Sequence, residues 1–372
     1  MKQKVCSLCG AKMIKHGKTK GGKQRWYCNK CKTSSTINYG SRLKRFNLFI
    51  SWLFSKNSLD ELKIPARTLS RYNLEFWPYW AMPSIYEEEI KVLHIDGIMI
   101  SKNVWVLIAC TDKYVISWYL ARSENSRSWK ALLLRLPKPA VVITDGNNGI
   151  LKALKSIWPD VPVQRCLFHI QNQIKRYTTM RPKLQAGKEL YRLSKLLLKI
   201  TTYNQAQAWA DAYVDWCFKW ENFLLERTIN EYNQTVYKHR RLRSARRAVN
   251  RVLAENTMFT YLNPLLTAHM DIPATNNRIE GGVNAQLRSL LRNHRGMNAE
   301  RRVKAIFWWC YYHSPYKLKP AQQLKRLPTD ESIKEIYESL SKDEQNFAEI
   351  EQWGDAIVWS EFHNVDKNYF SW

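Results

Sequence analysis

Apolar positions are sparse over the first 38 residues, where Arg25-Trp26-Tyr27 alone has the composition of a strand. They then crowd together in Phe46-Asn-Leu-Phe-Ile-Ser-Trp-Leu-Phe54, dense enough for a buried helix. Ser58 followed three residues later by Glu61 reads as a capping box, and Pro65 opens a further short helix through Tyr72. That helix would leave Arg67, Thr68, Ser70 and Arg71 as polar side chains free to enter a groove, the arrangement of a helix-turn-helix.

From Glu89 the spacing changes to β-rich runs. Ile90 to Ile100, Asn103 to Asp112 and Tyr114 to Arg122 are separated by very short connections and predict an antiparallel meander. A helix from Ser126 to Leu136, a buried strand from Ala140, a helix from Asn148 to Trp158 and a strand from Val161 to Cys166 follow. The order βββαβαβ is the layout of an RNase H-like fold. Beyond it, Ile170 to Met270 has amphipathic helical texture, with Trp209, Trp216 and Trp220 at roughly helical spacing and read as core. The expected fold class is therefore α/β: an RNase H-like mixed sheet with an all-α insertion, preceded by a zinc ribbon and a helix-turn-helix. The expected boundaries are 1–38 for the ribbon, 39–86 for the helix-turn-helix, 87–170 and 271–316 for the two parts of the core, 171–270 for the insertion and 317–372 for an acidic tail.

Charge narrows the partner. The 372 residues carry 59 Lys+Arg against 32 Asp+Glu, a formal charge of +27, which points to a polyanion, nucleic acid first among them. The basic residues recur along the chain, whereas a membrane-surface protein would concentrate them on one amphipathic helix. The sign reverses from Asp330 onward, where eleven acids face three lysines. That segment is read either as a solvated appendage or as one that folds back on the nucleic-acid surface. No apolar run approaches a membrane span and the amino terminus lacks a secretory apolar segment, so a cytoplasmic, nucleoid-associated location is expected.

Four of the eight cysteines form two Cys-x-x-Cys pairs, Cys6 with Cys9 and Cys28 with Cys31, separated by 18 residues. Each pair presents two thiolates to one ion, so one structural Zn²⁺ is expected, with His16 left as a loop residue. So short a segment would take its folding energy from the metal.

Asp96 lies on the first strand of the meander and Asp145 at the end of the fourth, each followed by glycine. If those strands are neighbours the two carboxylates meet, and a divalent cation with a preference for oxygen ligands resolves their repulsion. A third acid is then needed from a later helix, and Thr275-Asn-Asn-Arg-Ile-Glu280 supplies it. His-Ile-Asp96-Gly, Ile-Thr-Asp145-Gly, Cys166-Leu-Phe-His169 and Thr-Asn-Asn-Arg-Ile-Glu280 with its downstream Asn-x-Gln-Leu-Arg together resemble the Mutator-like DDE transposases of bacterial insertion sequences. The resemblance covers roughly residues 89–315 and departs at Gly281-Gly282.

It implies a metal-dependent enzyme of DNA transposition and recombination that binds the element's ends and catalyses strand cleavage and transfer. Asp96, Asp145 and Glu280 would hold two Mg²⁺ (or Mn²⁺) ions, and His169 would contact the scissile phosphate or flanking DNA. His94 shares a strand face with Asp96 and is expected at or beside the metals. Phosphate contacts are expected from Lys238, Arg240, Arg241, Arg243, Arg246, Arg247 and Arg251, and from Arg288, Arg292 and Arg295. The expected partners are the double-stranded terminal repeats and target DNA, with a second copy of the chain because two ends must be joined. A catalytically silent DNA-binding regulator and another RNase H-like nuclease remain as alternatives.

Overall fold

The computed structural model describes residues 4–6, 11–36, 39–55 and 64–341. Cys9, the Ser58–Glu61 capping box and residues 342–372 of the acidic segment lie outside them. The chain opens with an antiparallel three-stranded sheet, β1 (Ile14–Lys18), β2 (Gln24–Cys28) and β3 (Thr33–Ser35). The small cluster beneath it is Cys6, Met13 and Cys28 with Trp26 and Cys31 against it. His16 is not in a loop but in β1, where its ring stacks on Tyr27 at 5.1 Å; an exposed hairpin strand accepts a polar side chain on either face.

Helix α1 (Tyr39–Phe54) and helix α2 (Ala66–Asn73) follow. Phe46, Phe49, Leu53, Phe76 and Trp77 are buried, and they share one apolar cluster with residues far along the chain, including Ile279, Leu287 and Trp308. The apolar density that predicts α1 is thus spent on the main core. Arg67, Ser70 and Arg71 on α2 are exposed, with Thr68 partly so.

The central sheet comprises β4 (Val92–Ser101), β5 (Val104–Cys110), β6 (Val115–Ala121), β7 (Val141–Thr144) and β8 (Val163–Arg165), in the order β6-β5-β4-β7-β8. The first three strands form the expected meander, and β7 and β8 join parallel to β4. Between them run α3 (Ser126–Leu133) and α4 (Asn148–Ile157). Strands β4 to β7 are buried nearly throughout, as required of a sheet covered on both faces.

Helix α5 (Leu167–Thr178) leads into α6 (Gln185–Leu196), α7 (Tyr203–Lys219) and α8 (Glu221–Leu225). Trp209 and Trp216 are buried there, their rings interleaved with Tyr213, and Trp220 packs partly buried beside them. The region is not purely helical. A hairpin of β9 (Arg227–Ile229) and β10 (Thr235–Tyr237) interrupts it, where Thr228, Ile229, Thr235 and Val236 favour strand and Asn233 takes a positive φ in the turn. Helices α9 (Arg240–Ala254) and α10 (Pro264–Thr267) complete this part.

A π-helix over Arg278–Asn284 then runs directly into α11 (Ala285–Asn293), followed by α12 (Ala299–Tyr312), α13 (Pro320–Arg326) and α14 (Asp330–Ser341). The acidic segment therefore starts within the fold. Asp330 pairs with the buried Lys304 at 2.7 Å and accepts from Trp80 Nε1 at 2.7 Å.

Candidate active site

Strand register decides the first meeting. β4 and β7 pair in parallel with His94 opposite Ile143, which leaves Asp96 two residues beyond that pair and Asp145 just past the end of β7, near enough for the charge of Asp145 to act on Asp96. Asp96 accepts from the Gly97 amide at 2.9 Å through Oδ1 and from Asn284 Nδ2 at 2.7 Å through Oδ2. Asp145 accepts from the Asn147 amide at 2.9 Å and, more weakly, from the Thr144 hydroxyl at 3.3 Å. Gly146 takes φ +80°, and a Cβ there would fall 1.6 Å from Arg165 Nε, which donates to the Asp145 carbonyl at 3.1 Å. The Asp-Gly pair is therefore a backbone requirement as well as a turn.

Glu280 arrives from the π-helix. The widened turn coincides with Gly281-Gly282, and such insertions occur frequently at functional sites. Its Oε1 lies 3.0 Å from His169 Nδ1 and accepts from the Cys166 thiol at 3.5 Å. Cys166 is the residue before α5 and His169 sits in that helix's first turn, so one strand-to-helix junction supplies both contacts. The His169 imidazole is pushed up to about 10, by its bond to Cys166 first and by Glu280 next, against the opposing effect of burial. A cationic His169 paired with Glu280 is the outcome.

Asp96 is pushed up to about 7, first by burial and then by the charge of Asp145, with Glu280 adding to it and the Gly97 amide opposing it. Asp145 and Glu280 thus both lie near enough for their charges to act on Asp96. Glu124, absent from the sequence reading, belongs with them. It is raised to about 8 by burial, then by Asp145 and Asp96.

His94 is fully buried and stands beside the acids rather than among them. Its Nδ1 is 2.9 Å from Asn276 Oδ1 and its Nε2 is 3.2 Å from Asp112 Oδ1, an interaction that holds Asp112 below the ordinary carboxylate range. Asn276 Nδ2 in turn donates to the Ile95 carbonyl at 3.1 Å, and the Asn276 amide donates to Cys166 Sγ at 3.2 Å. The Thr-Asn-Asn stretch before Glu280 thereby pins the later segment to β4 next to Asp96.

The predicted basic residues separate into two groups. On α9, Arg243 donates to the Leu224 carbonyl at 3.0 Å and lies 3.6 Å over the Tyr237 ring. Arg246 bonds Glu221, Arg241 bonds the Arg176 carbonyl, and Arg251 bonds Glu255 at 2.8 Å and Asn148 at 2.9 Å. Lys238 pairs with Glu226 at 3.0 Å. Arg240, Arg247, Arg288, Arg292 and Arg295 present exposed side chains. Near the amino terminus the thiols of Cys6, Cys28 and Cys31 all lie within 4.8 Å of one another.

Residues 75–248 match the Mutator family of transposases. The transposase for insertion sequence element IS905 of Lactococcus lactis subsp. lactis (strain IL1403) is 27% identical over 129 residues, covering 32% of this chain and 32% of that protein. The chain thus matches about a third of the length of this curated relative. The family match includes Asp96, Asp145, Cys166 and His169 and ends before Glu280, which the fold brings near enough for its charge to act on Asp96. The segment that bears both aspartates and the Cys166–His169 junction, somewhat less than half of the chain, is thus similar to the Mutator family of transposases.

Proposed function

We propose that the chain is a DDE transposase that binds the ends of an insertion sequence and catalyses Mg²⁺-dependent cleavage and strand transfer. The observation that carries this reading is the approach of Asp145, just past β7, and of Glu280, from a helix more than a hundred residues later, close enough to Asp96 on β4 for both charges to act on it. A sheet order of β6-β5-β4-β7-β8 with three antiparallel strands and two parallel ones supports an RNase H-like core.

The donor set fits hard divalent cations. Three carboxylates offer oxygen only, and the upward push on Asp96 is the cost that a cation offsets. Bound there, a pair of Mg²⁺ ions would polarise an attacking water or 3′-hydroxyl and stabilise the departing oxygen. The chain's own groups then have separate tasks. The Gly97 amide and Asn284 orient Asp96, and the Asn147 amide orients Asp145. His169, held cationic, fixes Glu280 and brings a positive charge to the rim where phosphate would approach.

Cys6, Cys28 and Cys31 with Cys9 make up a zinc-ribbon donor set, and the gathering of three of them supports one structural Zn²⁺. Exposed Arg67, Ser70 and Arg71 on α2, with Arg240, Arg247, Arg288, Arg292 and Arg295, are proposed to hold the duplex. Double-stranded terminal repeats and target DNA are the partners, and a homodimer would bring two ends together. Among the described residues no helix is long and apolar enough to cross a membrane. Work on DNA within the bacterial cytoplasm fits this reading.

The test is a plasmid carrying the DNA that flanks the chain's own gene, incubated with purified protein and Mg²⁺. Joined products that vanish with EDTA and with Asp145→Asn, while the variant still retards flanking DNA in a gel, support the proposal. Retardation without cleavage by the unaltered protein overturns it in favour of a silent DNA-binding regulator, and cleavage without joining in favour of a nuclease.

A further inference from the structure

The connection from β6 to α3 brings a fourth carboxylate to the acids. Glu124 precedes Asn125, whose side chain caps α3 by accepting from the Ser128 amide at 2.9 Å. Its carboxylate lies over Gly97, the residue after Asp96: a Cβ on Gly97 would come within 2.2 Å of Glu124 Oε1. Its backbone is enclosed as well, because a Cβ on Gly149 in the first turn of α4 would come within 2.3 Å of the Glu124 carbonyl oxygen. Two glycines on different elements thus make room for one residue, and both follow closely on the predicted aspartates.

No hydrogen bond or ion pair engages the Glu124 carboxylate among the described residues. A partly buried carboxylate with only Asp96 and Asp145 for charged company is costly unless a cation joins them. The opposite side of Asp96 carries an independent sign of a missing ligand. Asn284 is 0% exposed and donates Nδ2 to Asp96, yet its Oδ1 has no partner. A buried amide oxygen left open beside carboxylates is another hard donor of the kind that Mg²⁺ and its bound waters engage.

We propose that Glu124 is a fourth acidic side chain of the cation pocket, seated against Gly97 so that it shares with Asp96 and Asp145 the charge of a divalent ion. This rests on the reading of that pocket as a cation site. Glu124 would then act on ion occupancy and position, beyond the three acids on which the strand-transfer reading depends.

Mn²⁺ binding to the full-length protein, followed by the electron paramagnetic resonance of the free ion, tests it without reference to turnover. Glu124→Gln keeps the side-chain shape and is expected to weaken Mn²⁺ binding about tenfold, the scale of loss on removing a group that supports a metal site. Gly97→Ala, which keeps every carboxylate in the sequence but displaces that of Glu124, is expected to weaken it in the same direction. Wild-type affinity in both variants, with loss in Asp145→Asn, overturns the assignment of Glu124 and leaves the three-acid site standing. Wild-type protein that takes up no Mn²⁺ overturns the cation reading and this inference with it.

Discussion

Asn284 Nδ2 donates to Asp96 Oδ2 at 2.7 Å across 188 residues of sequence, joining the end of the π-helix that bears Glu280 to the strand that bears the first acid. Removing that donor leaves a buried carboxylate with one partner fewer, a loss of about 1.5–3 kcal/mol for a hydrogen bond to a charged group. Asn284→Ala is therefore expected to lower the melting temperature and to reduce strand cleavage while DNA retardation persists. Cleavage at the wild-type rate would show that Asp96 needs no such restraint.

The acids also set a pH dependence. Asp96 is raised from 3.8 to about 7 and Glu124 from 4.5 to about 8 in the folded chain. Below about pH 3 both groups hold protons in either state, and neither penalises folding. As the pH rises the unfolded chain ionises first, so the folded state loses stability until about pH 9, above which both groups are ionised in both states. Metal-free protein is expected to show this loss in denaturant titrations between those limits, and saturating Mg²⁺ to remove it. Equal slopes with and without Mg²⁺ would count against cation binding at these carboxylates.

Much of this pocket was legible because period and punctuation agree there. The runs around Asp96 and Asp145 are strongly apolar and end at glycines, so both strand type and turn were readable, and their adjacency followed from the βββαβ order. Glu124 was not legible. It is a lone acid in a polar connection, Ser123-Glu-Asn-Ser126, and only the absence of a Cβ at Gly97 and Gly149 distinguishes it. The hairpin around Asn233 escaped for a different reason. Its strands are three residues each, too short for alternation to register against flanking helices. Arg243 and Arg246 show the same limit for charge: a basic run predicts a polyanion, but their own carbonyl, ring and carboxylate partners emerge only from the packing of α9 on α8 and β10.

Zinc removal gives a separate test of the amino-terminal sheet. Its cluster contains Met13 and three cysteines with little other apolar material, so a bound ion would supply most of its order. Treatment with a chelator that spares Mg²⁺ is expected to release one zinc per chain and to weaken binding to the element's ends. Slow cleavage of DNA supplied at high concentration should survive it. Protein isolated with no zinc, yet binding its ends fully, would remove the ion from the recognition scheme.

Helix α1 carries a final expectation, about whether the arm is a separable module. Phe49 is fully buried, with ring centroids 5.7 Å from Phe76, 5.2 Å from Trp77 and 6.2 Å from Trp308 on α12. Ile279, the neighbour of Glu280, lies in the same cluster. Truncating a buried phenylalanine costs about 3–5 kcal/mol. Were α1 and α2 an independent unit, Phe49→Ala would melt them alone and leave the strand-borne acids in place. Because one core serves both, the variant is expected to lower a single calorimetric transition that includes the central sheet, and to depress cleavage along with DNA binding. A new early transition confined to the arm, with the main transition unmoved, would show that the shared cluster does not couple the arm to the catalytic pocket.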